Sequence, residues 1–368
     1  MKVLFTTNVP SPYRVDFFNE LGKYCDLTVL FELKNAKDRD EKWKSDEFCN
    51  FKAIFLKGLR IGADQAICLD VLKYVVSDEY DAIVIGLYSS LTGMIAIQAL
   101  RAKKKVFFLS TDGGIKKLDS KLKYKIKSYF ISSAYAWFST GKATTEYLKY
   151  YGANEERVYW YPFTSIKKKD IINECVTAKE KKGIKEKLHI KENKVILSVG
   201  QFIYRKGYDV LIRACKNLDN NIGVYIVGGV PTKEYLKLVN DLKISNIYFI
   251  DFLDKDRLSE YYKAADLFVL PTREDIWGLV VNEAMAYGLP VITTDKCVAG
   301  MELVKDNKNG YIVPVDDSNK LACAINQGLM EQKKLAECCI STINNYSIEQ
   351  MAECYYNIIC NIVENYKK

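Results

Sequence analysis

One pattern recurs along most of the chain: a short apolar run, a loop, and then a segment with apolar residues at helical spacing. Uninterrupted apolar runs of this length predict strands that are buried on both faces. Strands that alternate with helices predict parallel sheets covered by helices on both sides, so we predict the α/β class. The predicted strands are residues 3–7, 27–31, 53–56, 81–85, 106–109, 136–139, 195–199, 224–227, 247–251, 266–270 and 291–294.

The chain has 368 residues, which is enough for two domains that each have a hydrophobic core. Residues 164–193 are charged and weakly patterned. They are predicted to form an inter-domain linker followed by a surface helix.

The composition argues against several kinds of chemistry. His189 is the single histidine, so a histidine metal site or a Ser-His-Asp triad is not expected. The 11 cysteines are scattered without a Cys-x-x-Cys motif, which is typical of free thiols in a reducing cytosol. The sequence begins directly with a predicted strand and shows no signal-peptide pattern, so a cytoplasmic location is expected.

Residues 82–100 carry no charge and are the one candidate for a membrane-spanning helix. Gly86, Ser90 and Gly93 interrupt the run, which barely reaches the necessary length. We therefore predict a buried strand, a turn and an N-capped helix.

Two loops in the first half carry polar residues just after predicted strands, where doubly wound sheets bind ligands. Arg14 follows the first strand and either meets a substrate anion or pairs with Asp16 or Glu20 at the surface. Asp112 precedes two glycines after the fifth strand. It is either a ligand-binding acid or part of an Asx turn without chemistry.

Positive charge is concentrated in residues 101–127, which hold ten Lys/Arg against two Asp in a chain of formal net charge +8. Residues 115–131 have apolar side chains three or four apart, which predicts an amphipathic helix. Its apolar stripe either faces the core or lies on an anionic membrane, where each lysine contributes about 1 kcal/mol. We favour the membrane, and we do not expect nucleic acid as a partner. The docking lysines would be Lys116, Lys117, Lys121, Lys123, Lys125 and Lys127, around a stripe of Leu118, Leu122, Ile126 and Tyr129.

A basic loop follows the predicted strand at residues 195–199. It begins at Gly200 and carries Arg205 and Lys206 before the next helix. Two cations in such a loop suit a diphosphate, because they neutralise it and help it to leave.

Residues 271–290 place two carboxylates eight residues apart at a helix start. Asp275 lies in the loop beside Glu274, and Glu283 lies about one turn inside a helix that Gly278 opens. A helix N-terminus can hold a phosphate while the carboxylates accept hydrogen bonds from sugar hydroxyls. An isolated pair of acids would more simply be solvated.

This stretch resembles the signature of the retaining glycosyltransferases of family 4. In that family Glu-x-x-Gly-x-x-x-x-Glu precedes Ala-Met-Ala-x-Gly-x-Pro-Val-Ile. Here the first acid is Asp275, or its role has moved to Glu274. The matching residues are Gly278, Glu283, Ala284, Met285, Ala286, Gly288, Pro290, Val291 and Ile292.

The resemblance implies the GT-B architecture, in which two Rossmann-like domains face a cleft. Residues 1–163 would form the acceptor-side domain and residues 194–345 the nucleotide-sugar-binding domain. Residues 346–368 would form a helix that packs back on the first domain.

The resemblance also implies roles on the donor side. Gly200, Arg205 and Lys206 would bind the donor diphosphate, with Lys206 in the family's lysine position. Gln201 occupies the family's arginine position, and Arg205 would compensate for it. Glu283 would hold the ribose hydroxyls.

The remaining implied roles concern the transferred sugar. Asp275 or Glu274 would hold its hydroxyls, and the backbone around Gly300 and Met301 would point at the sugar or the diphosphate. Many members have a histidine near Asp112, so Asp112 would contact the sugar or the acceptor hydroxyl from the other domain.

The implied reaction moves a sugar from a nucleotide diphosphate sugar to a saccharide or lipid-linked saccharide acceptor with retained anomeric configuration. It would serve surface polysaccharide or glycolipid synthesis by front-face displacement, with domain closure that excludes water and without a metal or other cofactor. Docking of the basic helix would place the protein on the inner face of the membrane. The alternatives are a nucleotide-sugar epimerase or hydrolase of the same fold, and an inactive sugar-nucleotide-binding scaffold.

Two Asp-x-Asp pairs have the spacing found in metal-dependent sugar transferases. Asp254 and Asp256 are better explained by Asp254 as a helix N-cap. Asp38 and Asp40 lie in a charged loop without a preceding buried strand. Neither pair requires a metal.

Overall fold

The structure, a computed structural model, describes residues 1–35 and 47–367. The chain folds into two compact units. Unit 1 comprises Met1–Ser165 and the C-terminal segment from Ser347 onward, and unit 2 comprises Ile166–Tyr346. The pair Asp38 and Asp40 lies outside the described residues.

Unit 1 begins with a βα succession that matches the predicted alternation. Its strands are β1 (Lys2–Thr7), β2 (Asp26–Phe31), β3 (Lys52–Phe55), β4 (Leu59–Arg60), β5 (Ala66–Ile67), β6 (Ala82–Ile85), β7 (Phe108–Ser110), β8 (Ala136–Ser139) and β9 (Val158–Trp160). Its helices before unit 2 are α1 (Pro12–Leu21), α2 (Val71–Val75), α3 (Leu91–Ala102), α4 (Lys121–Ile131) and α5 (Lys142–Tyr150).

Unit 2 repeats the alternation, and the chain then returns to unit 1. The strands of unit 2 are β10 (Lys194–Val199), β11 (Ile222–Val227), β12 (Ile247–Ile250), β13 (Leu267–Leu270), β14 (Val291–Thr294) and β15 (Gly310–Val313). Its helices are α6 (Ala178–Lys187), α7 (Tyr208–Cys215), α8 (Lys233–Asp241), α9 (Lys255–Ala264), α10 (Leu279–Ala286), α11 (Val298–Leu303), α12 (Ser318–Met330) and α13 (Gln332–Ile343). The last helix, α14 (Ile348–Lys367), lies in unit 1, where Tyr355 stacks on Phe138 at 4.0 Å between ring centroids.

Each unit is built on a parallel sheet, which confirms the predicted α/β class. The sheet of unit 1 has the order β3-β2-β1-β6-β7-β8-β9, and that of unit 2 has the order β12-β11-β10-β13-β14-β15. Strands β4 and β5 form a separate antiparallel pair. Strand order reverses between β1 and β6 and again between β10 and β13. Loops that follow these strands mark the ligand-binding edge of a doubly wound sheet.

Two local predictions from the sequence are confirmed. The uncharged residues 82–100 form β6, a turn and most of α3, and the Ser90 hydroxyl caps this helix by accepting from the amide of Gly93 at 2.9 Å. Asp254 caps α9 by accepting from the amide of Arg257 at 2.9 Å. Within residues 1–35 and 47–367, no helix is both long and apolar enough to span a membrane.

The predicted linker, residues 164–193, is mostly part of unit 2, where α6 packs against α9. The physical reason is a buried carboxylate that the sequence did not reveal. Asp266 accepts from Lys181 at 2.9 Å and from the amide of Val195 at 2.9 Å, and Lys185 lies 3.4 Å away. These contacts hold α6 against β10 and the start of β13.

Replacing Asp266 with asparagine is expected to lower the free energy of unfolding by about 3 kcal/mol, because two largely buried lysines lose their counter-charge. Burial by itself raises the pKa of Asp266, but Lys181 and Lys185 lower it below its ordinary value. Its contribution to stability is therefore complete above about pH 4 and is lost as the pH falls through the lower folded value. Urea unfolding across this pH range measures both effects.

The exposed pair Lys182 and Glu186 on the same helix supplies the control for this measurement. Glu186→Gln is expected to change stability by less than about 0.5 kcal/mol, since exposed pairs contribute little. Equal losses for Asp266→Asn and Glu186→Gln would contradict a tethering role for Asp266.

Candidate active site

The basic loop and the acidic loop of unit 2 leave the sheet side by side. Strand β10 pairs with β13, with Ile196 opposite Leu267. The residues after both strands therefore lie at the switch point of this sheet, where doubly wound folds bind ligands. This adjacency was expected from the positions of the two motifs.

Backbone contacts join the two loops directly. The carbonyl of Arg205 accepts from the amide of Arg273 at 2.8 Å and from the hydroxyl of Thr272 at 2.9 Å. Gly207 has a φ of 68°, and a Cβ there would lie 2.1 Å from the carbonyl oxygen of Pro271. Only glycine permits this approach, so the two loops behave as one element.

Asp275 lies between the two cations of the basic loop. The Nζ of Lys206 is 2.6 Å from its Oδ2, and Nη1 of Arg205 is 3.4 Å from its Oδ1. Lys206 is only 9% exposed, and a Cβ at Gly200 would lie 3.2 Å from the Cε of Lys206. The glycine therefore leaves room for the lysine stem. A diphosphate carries more negative charge than Asp275 and would compete with it for both cations.

Glu274 contacts the basic loop through its backbone. Its backbone carbonyl accepts from Arg205 at 2.7 Å and from Thr272 at 2.9 Å. The carboxylate of Asp275, the other candidate first acid, contacts both cations.

Arg273 is a residue of this corner that sequence reasoning missed. Its guanidinium donates to both carboxylate oxygens of Asp209, at 2.9 and 2.7 Å, and lies 4.0 Å from the ring centroid of Tyr204. It also donates to the Tyr204 carbonyl at 2.8 Å. The basic loop is therefore held from both sides. Its position in the loop after a predicted strand indicated a residue at the ligand-binding edge. Its partner, Asp209, is 64 residues away in sequence, so the pairing could not be predicted.

The second acid lies on α10. Gly278 is the N-cap of this helix, and the partly buried Glu283 accepts from the hydroxyl of Tyr262 at 3.0 Å. The partner of Glu283 comes from α9, which precedes β13 in the chain. The predicted acid-x7-acid arrangement is therefore present, with an additional tyrosine at the second acid.

The predicted contribution of Met301 does not fit the structure. Gly300 and Met301 lie within α11, and the Met301 amide donates to the carbonyl of Cys297 at 3.0 Å. The first amides of this helix bond to the acidic loop, with Val298 donating to the Asp275 carbonyl at 3.2 Å. The amide of Met301 is therefore occupied inside the helix and does not point at a ligand.

In unit 1, Asp112 accepts hydrogen bonds from two residues at the start of α1. Arg14 forms an ion pair with its Oδ1, and the Tyr13 hydroxyl is 3.3 Å from its Oδ2. Burial by itself lowers the pKa of Arg14, but Asp112 raises it above its usual value, so the guanidinium stays charged. Burial raises the pKa of Tyr13 to about 12, so its hydroxyl remains a donor.

These contacts differ from the partners that the sequence suggested for Arg14 and Asp112. Arg14 is 5% exposed and pairs with Asp112, whereas the sequence suggested a substrate anion or the nearby Asp16 or Glu20. Asp112 is more than an isolated Asx turn, since both of its oxygens accept from side chains about 100 residues away in sequence. The pairing is a tertiary contact that spacing along one helix could not indicate.

The basic segment turns its apolar stripe outward. The exposed fractions are 97% for Leu118, 70% for Leu122, 42% for Ile126 and 43% for Tyr129. Ile131 is the buried residue of α4. The interpretation of this stripe as a core face is therefore wrong. The helix is also shorter than predicted, so Lys116 and Lys117 precede it.

Tyrosines hold α4 on the body of unit 1. The ring of Tyr124 lies 5.2 Å from that of Tyr150 and 5.6 Å from that of Tyr151. Asp119 pairs with Lys127 at 2.8 Å and with Lys123 at 3.3 Å. Hydrogen bonds from Lys127 and Tyr151 hold the pKa of Asp119 well below its usual range, so this carboxylate stays ionised and neutralises part of the predicted basic charge.

The histidine and cysteines show no clustering in the parts of the chain that the structure describes. His189 is exposed, and all 11 cysteines are free thiols. Among residues 1–35 and 47–367, no group of three or more His, Cys, Asp and Glu is placed to hold a metal ion.

Two doubly wound units, each built on a parallel sheet, are the architecture of the GT-B fold class. The crystal structure of Anabaena HepE in complex with UDP and glucose matches 100% of this chain and 100% of its own, with a TM-score of 0.72 and 18% identity. At this identity the likeness establishes the fold.

Sequence comparisons find relatives of the second half of the chain and one relative of most of it. Residues 180–344 match the family described as Glycosyl transferases group 1. An uncharacterised 41.2 kDa protein from the cps region of Klebsiella pneumoniae is 26% identical over 80% of this chain and 82% of its own. The lipopolysaccharide glucosyltransferase WaaG of Escherichia coli K12 is 31% identical over 43% of each chain. Over residues 180–344 the chain is similar to the group 1 glycosyltransferases, and these similarities indicate a transferase.

Proposed function

We propose that this protein is a retaining glycosyltransferase of the family 4 type. It takes a nucleotide diphosphate sugar as donor and a saccharide or lipid-linked saccharide as acceptor, in the synthesis of a surface polysaccharide or lipopolysaccharide. The observation that carries the proposal is the cluster of Arg205, Lys206 and Asp275 at the switch point of unit 2. The Klebsiella relative from a cps region, WaaG and the UDP-bound HepE support the substrate classes.

In this proposal Lys206 and Arg205 stabilise the departing diphosphate. The bond from the sugar C1 to the diphosphate oxygen breaks, and the acceptor oxygen bonds to C1 on the same face. The acceptor proton passes to a diphosphate oxygen. Once the bound diphosphate has replaced Asp275 as their partner, both cations are in position before charge develops on the leaving group.

The retaining course is proposed from the resemblance to family 4, and the step is written without a covalent intermediate. A covalent route would require a carboxylate that attacks C1. Asp275 is assigned to the hydroxyls of the donor sugar and not to attack on C1. Asp112 of unit 1 is assigned to the transferred sugar or the acceptor hydroxyl. Glu283 is assigned to the ribose.

A donor screen tests the proposal. The purified protein is incubated with UDP-, GDP-, ADP- and TDP-sugars, with and without saccharide acceptors. The release of nucleoside diphosphate is measured. Release that depends on the acceptor supports a transferase, and the anomeric proton coupling of the product reports retention. Release from donor alone indicates a hydrolase or epimerase. Binding without release indicates an inactive scaffold.

We also propose that transfer does not require a divalent metal. Arg205 and Lys206 supply the positive charge that a metal would otherwise provide to the diphosphate. Transfer is therefore expected to persist in EDTA. Loss of transfer in EDTA and its recovery with added Mg²⁺ or Mn²⁺ would contradict this part of the proposal.

We further propose that the face of α4 docks on an anionic membrane. Leu118, Leu122 and Ile126 are exposed on the segment that carries the lysine cluster. Aliphatic side chains insert at the acyl boundary, while lysines beside them contact anionic head groups. This docking would bring the enzyme to a lipid-linked acceptor.

Flotation with vesicles measures the docking. We expect binding to vesicles that contain phosphatidylglycerol and weaker binding at high salt. Because each lysine contributes about 1 kcal/mol, Lys121→Gln/Lys125→Gln should weaken binding roughly tenfold or more. Leu122→Glu should weaken binding at low and high salt alike, since it removes an inserted side chain.

Helix α8 offers matched controls for both variants. Leu236 is an exposed leucine, and Lys233 and Lys237 are exposed lysines on the same helix. Leu236→Glu and Lys233→Gln/Lys237→Gln are expected to leave flotation unchanged. Equal effects from the α4 and α8 variants would show that membrane binding, if present, does not use α4.

A further inference from the structure

A buried tyrosine of unit 2 donates a hydrogen bond to the second acid of the site. Tyr262 lies near the end of α9 and is 2% exposed. Its hydroxyl is 3.0 Å from Oε2 of Glu283, which lies on α10. The contact joins two helices that lie on either side of β13 in the chain, and neither motif of the sequence includes this tyrosine.

The surroundings of Tyr262 fix the ring and the state of its hydroxyl. The ring stacks on Tyr287 with centroids 5.1 Å apart and planes 5° apart, and it packs on Phe268 at 6.1 Å. Burial, reinforced by the charge of Glu283, raises the pKa of Tyr262 well above its ordinary value. The hydroxyl therefore remains protonated, and toward a carboxylate it can only donate.

We propose that Tyr262 is a positioning residue that holds the carboxylate of Glu283 in the orientation that accepts the ribose hydroxyls of the donor. This inference rests on the proposed function, which assigns the ribose to Glu283. A glutamate side chain has several rotamers of similar energy, and binding a ribose through an unrestrained carboxylate costs the entropy of selecting one. A bond from a rigid, stacked phenol to one carboxylate oxygen selects that orientation in advance. A carboxylate can accept several hydrogen bonds, so the bond from Tyr262 does not by itself exclude a bond from the ligand.

The competing interpretation is that Tyr262 serves only as a packing residue. The two interpretations differ in what the hydroxyl does, because the ring alone supplies the packing. Tyr262→Phe removes only the hydroxyl and preserves the ring, the stack and the volume. If Tyr262 served only in packing, the Tyr262→Phe variant would bind the nucleotide and transfer the sugar as the wild type does.

The test is titration calorimetry with UDP, GDP, ADP and TDP, followed by steady-state kinetics with the matching donor. Loss of a hydrogen bond to a charged group predicts that Tyr262→Phe weakens binding of the preferred nucleoside diphosphate about five- to tenfold. The KM for the donor should rise by a similar factor, while kcat changes by less than about twofold, because the ribose contact is the same in the ground state and the transition state. Tyr287→Phe is the control, because it removes the hydroxyl of the stacked neighbour, and it should leave nucleotide binding unchanged. The melting temperatures of the Tyr262→Phe and Tyr287→Phe variants should be similar.

Two further measurements separate positioning from packing. In a Glu283→Gln background, Tyr262→Phe should add less than about a twofold loss, since the tyrosine acts through the carboxylate. With the 2′-deoxy analogue of the preferred nucleoside diphosphate, the loss caused by Tyr262→Phe should be smaller than with the ribonucleotide.

The outcomes distinguish this inference from the proposed function. If Glu283→Gln weakens nucleotide binding but Tyr262→Phe does not, the positioning role is overturned and the donor site stands. If neither variant weakens binding, or if the wild-type protein binds none of the four nucleotides, the proposed donor site itself is wrong. If Tyr262→Phe weakens ribonucleotide and deoxyribonucleotide binding equally, it acts on the site other than through the ribose contact, and the inference also fails.

Discussion

Replacing Lys206 with alanine is expected to lower kcat for sugar transfer by about a hundred- to a thousandfold, the loss found when one preorganised donor to a developing oxyanion is removed. Lys206 is 9% exposed, and its Nζ is held 2.6 Å from Asp275. Its charge is therefore only partly screened by water and acts strongly on the leaving diphosphate. Release of nucleoside diphosphate at saturating donor and acceptor gives kcat directly.

The neighbouring residues make this experiment specific. Arg205 is more exposed and lies 3.4 Å from Asp275, so Arg205→Ala should cause a smaller loss. Lys216, an exposed lysine at the end of α7, supplies the control, and Lys216→Ala should change kcat by less than about twofold, as expected of a solvated surface charge. If Lys206→Ala retained the wild-type kcat, the leaving group would be stabilised elsewhere and the donor site assigned to unit 2 would be wrong.

Replacing Asp112 with alanine is expected to lower the stability of unit 1 by about 3 kcal/mol or more, because it leaves a buried guanidinium without a counter-charge. Arg14 is 5% exposed and lies 5.9 Å from the ring centroid of Phe5, among aromatic side chains that cannot replace a carboxylate. Sugar transfer should also fall, by at least about tenfold, if Asp112 accepts a hydrogen bond from the substrate. Thermal unfolding and kcat/KM measure the two effects separately.

A double variant separates the structural role of Asp112 from its assigned role in transfer. Arg14→Met/Asp112→Ala removes both charges and should recover much of the lost stability, as replacement of a buried ion pair by apolar side chains often does. Transfer should stay low in this variant, since the substrate contact is still missing. If the double variant recovered both stability and transfer, Asp112 would be only the partner of Arg14, and its assignment to the substrate would be overturned.

The predicted site in unit 2 illustrates why loops after strands are informative. Lys206 and Asp275 are 69 residues apart, yet each lies in the loop that follows an apolar run. Since parallel strands present their carboxyl ends at one edge of a sheet, both residues were expected at that edge before their strands were known to be neighbours. The contact between Lys206 and Asp275, and the hydrogen bonds that Arg273 makes to the basic loop, could be recognised only from the tertiary structure.

The basic segment shows what a sequence pattern leaves open. Its leucines recur at helical spacing, and helical spacing records which residues share a face but not what that face meets. In the structure Tyr124 of α4 packs on Tyr150 and Tyr151, and Leu122 is exposed. The apolar stripe was correctly located, but only the fold decided that it is exposed.

The sequence alone determined the α/β class, the existence of two units and the loops that carry the basic and acidic residues. These properties follow from local periodicity, because burial of a strand or helix imposes its pattern on neighbouring residues. The tertiary structure decided the pairing of Arg14 with Asp112, the bond from Tyr262 to Glu283 and the outward face of α4. Each of these is a contact or an orientation between elements far apart in the chain, which no local pattern encodes.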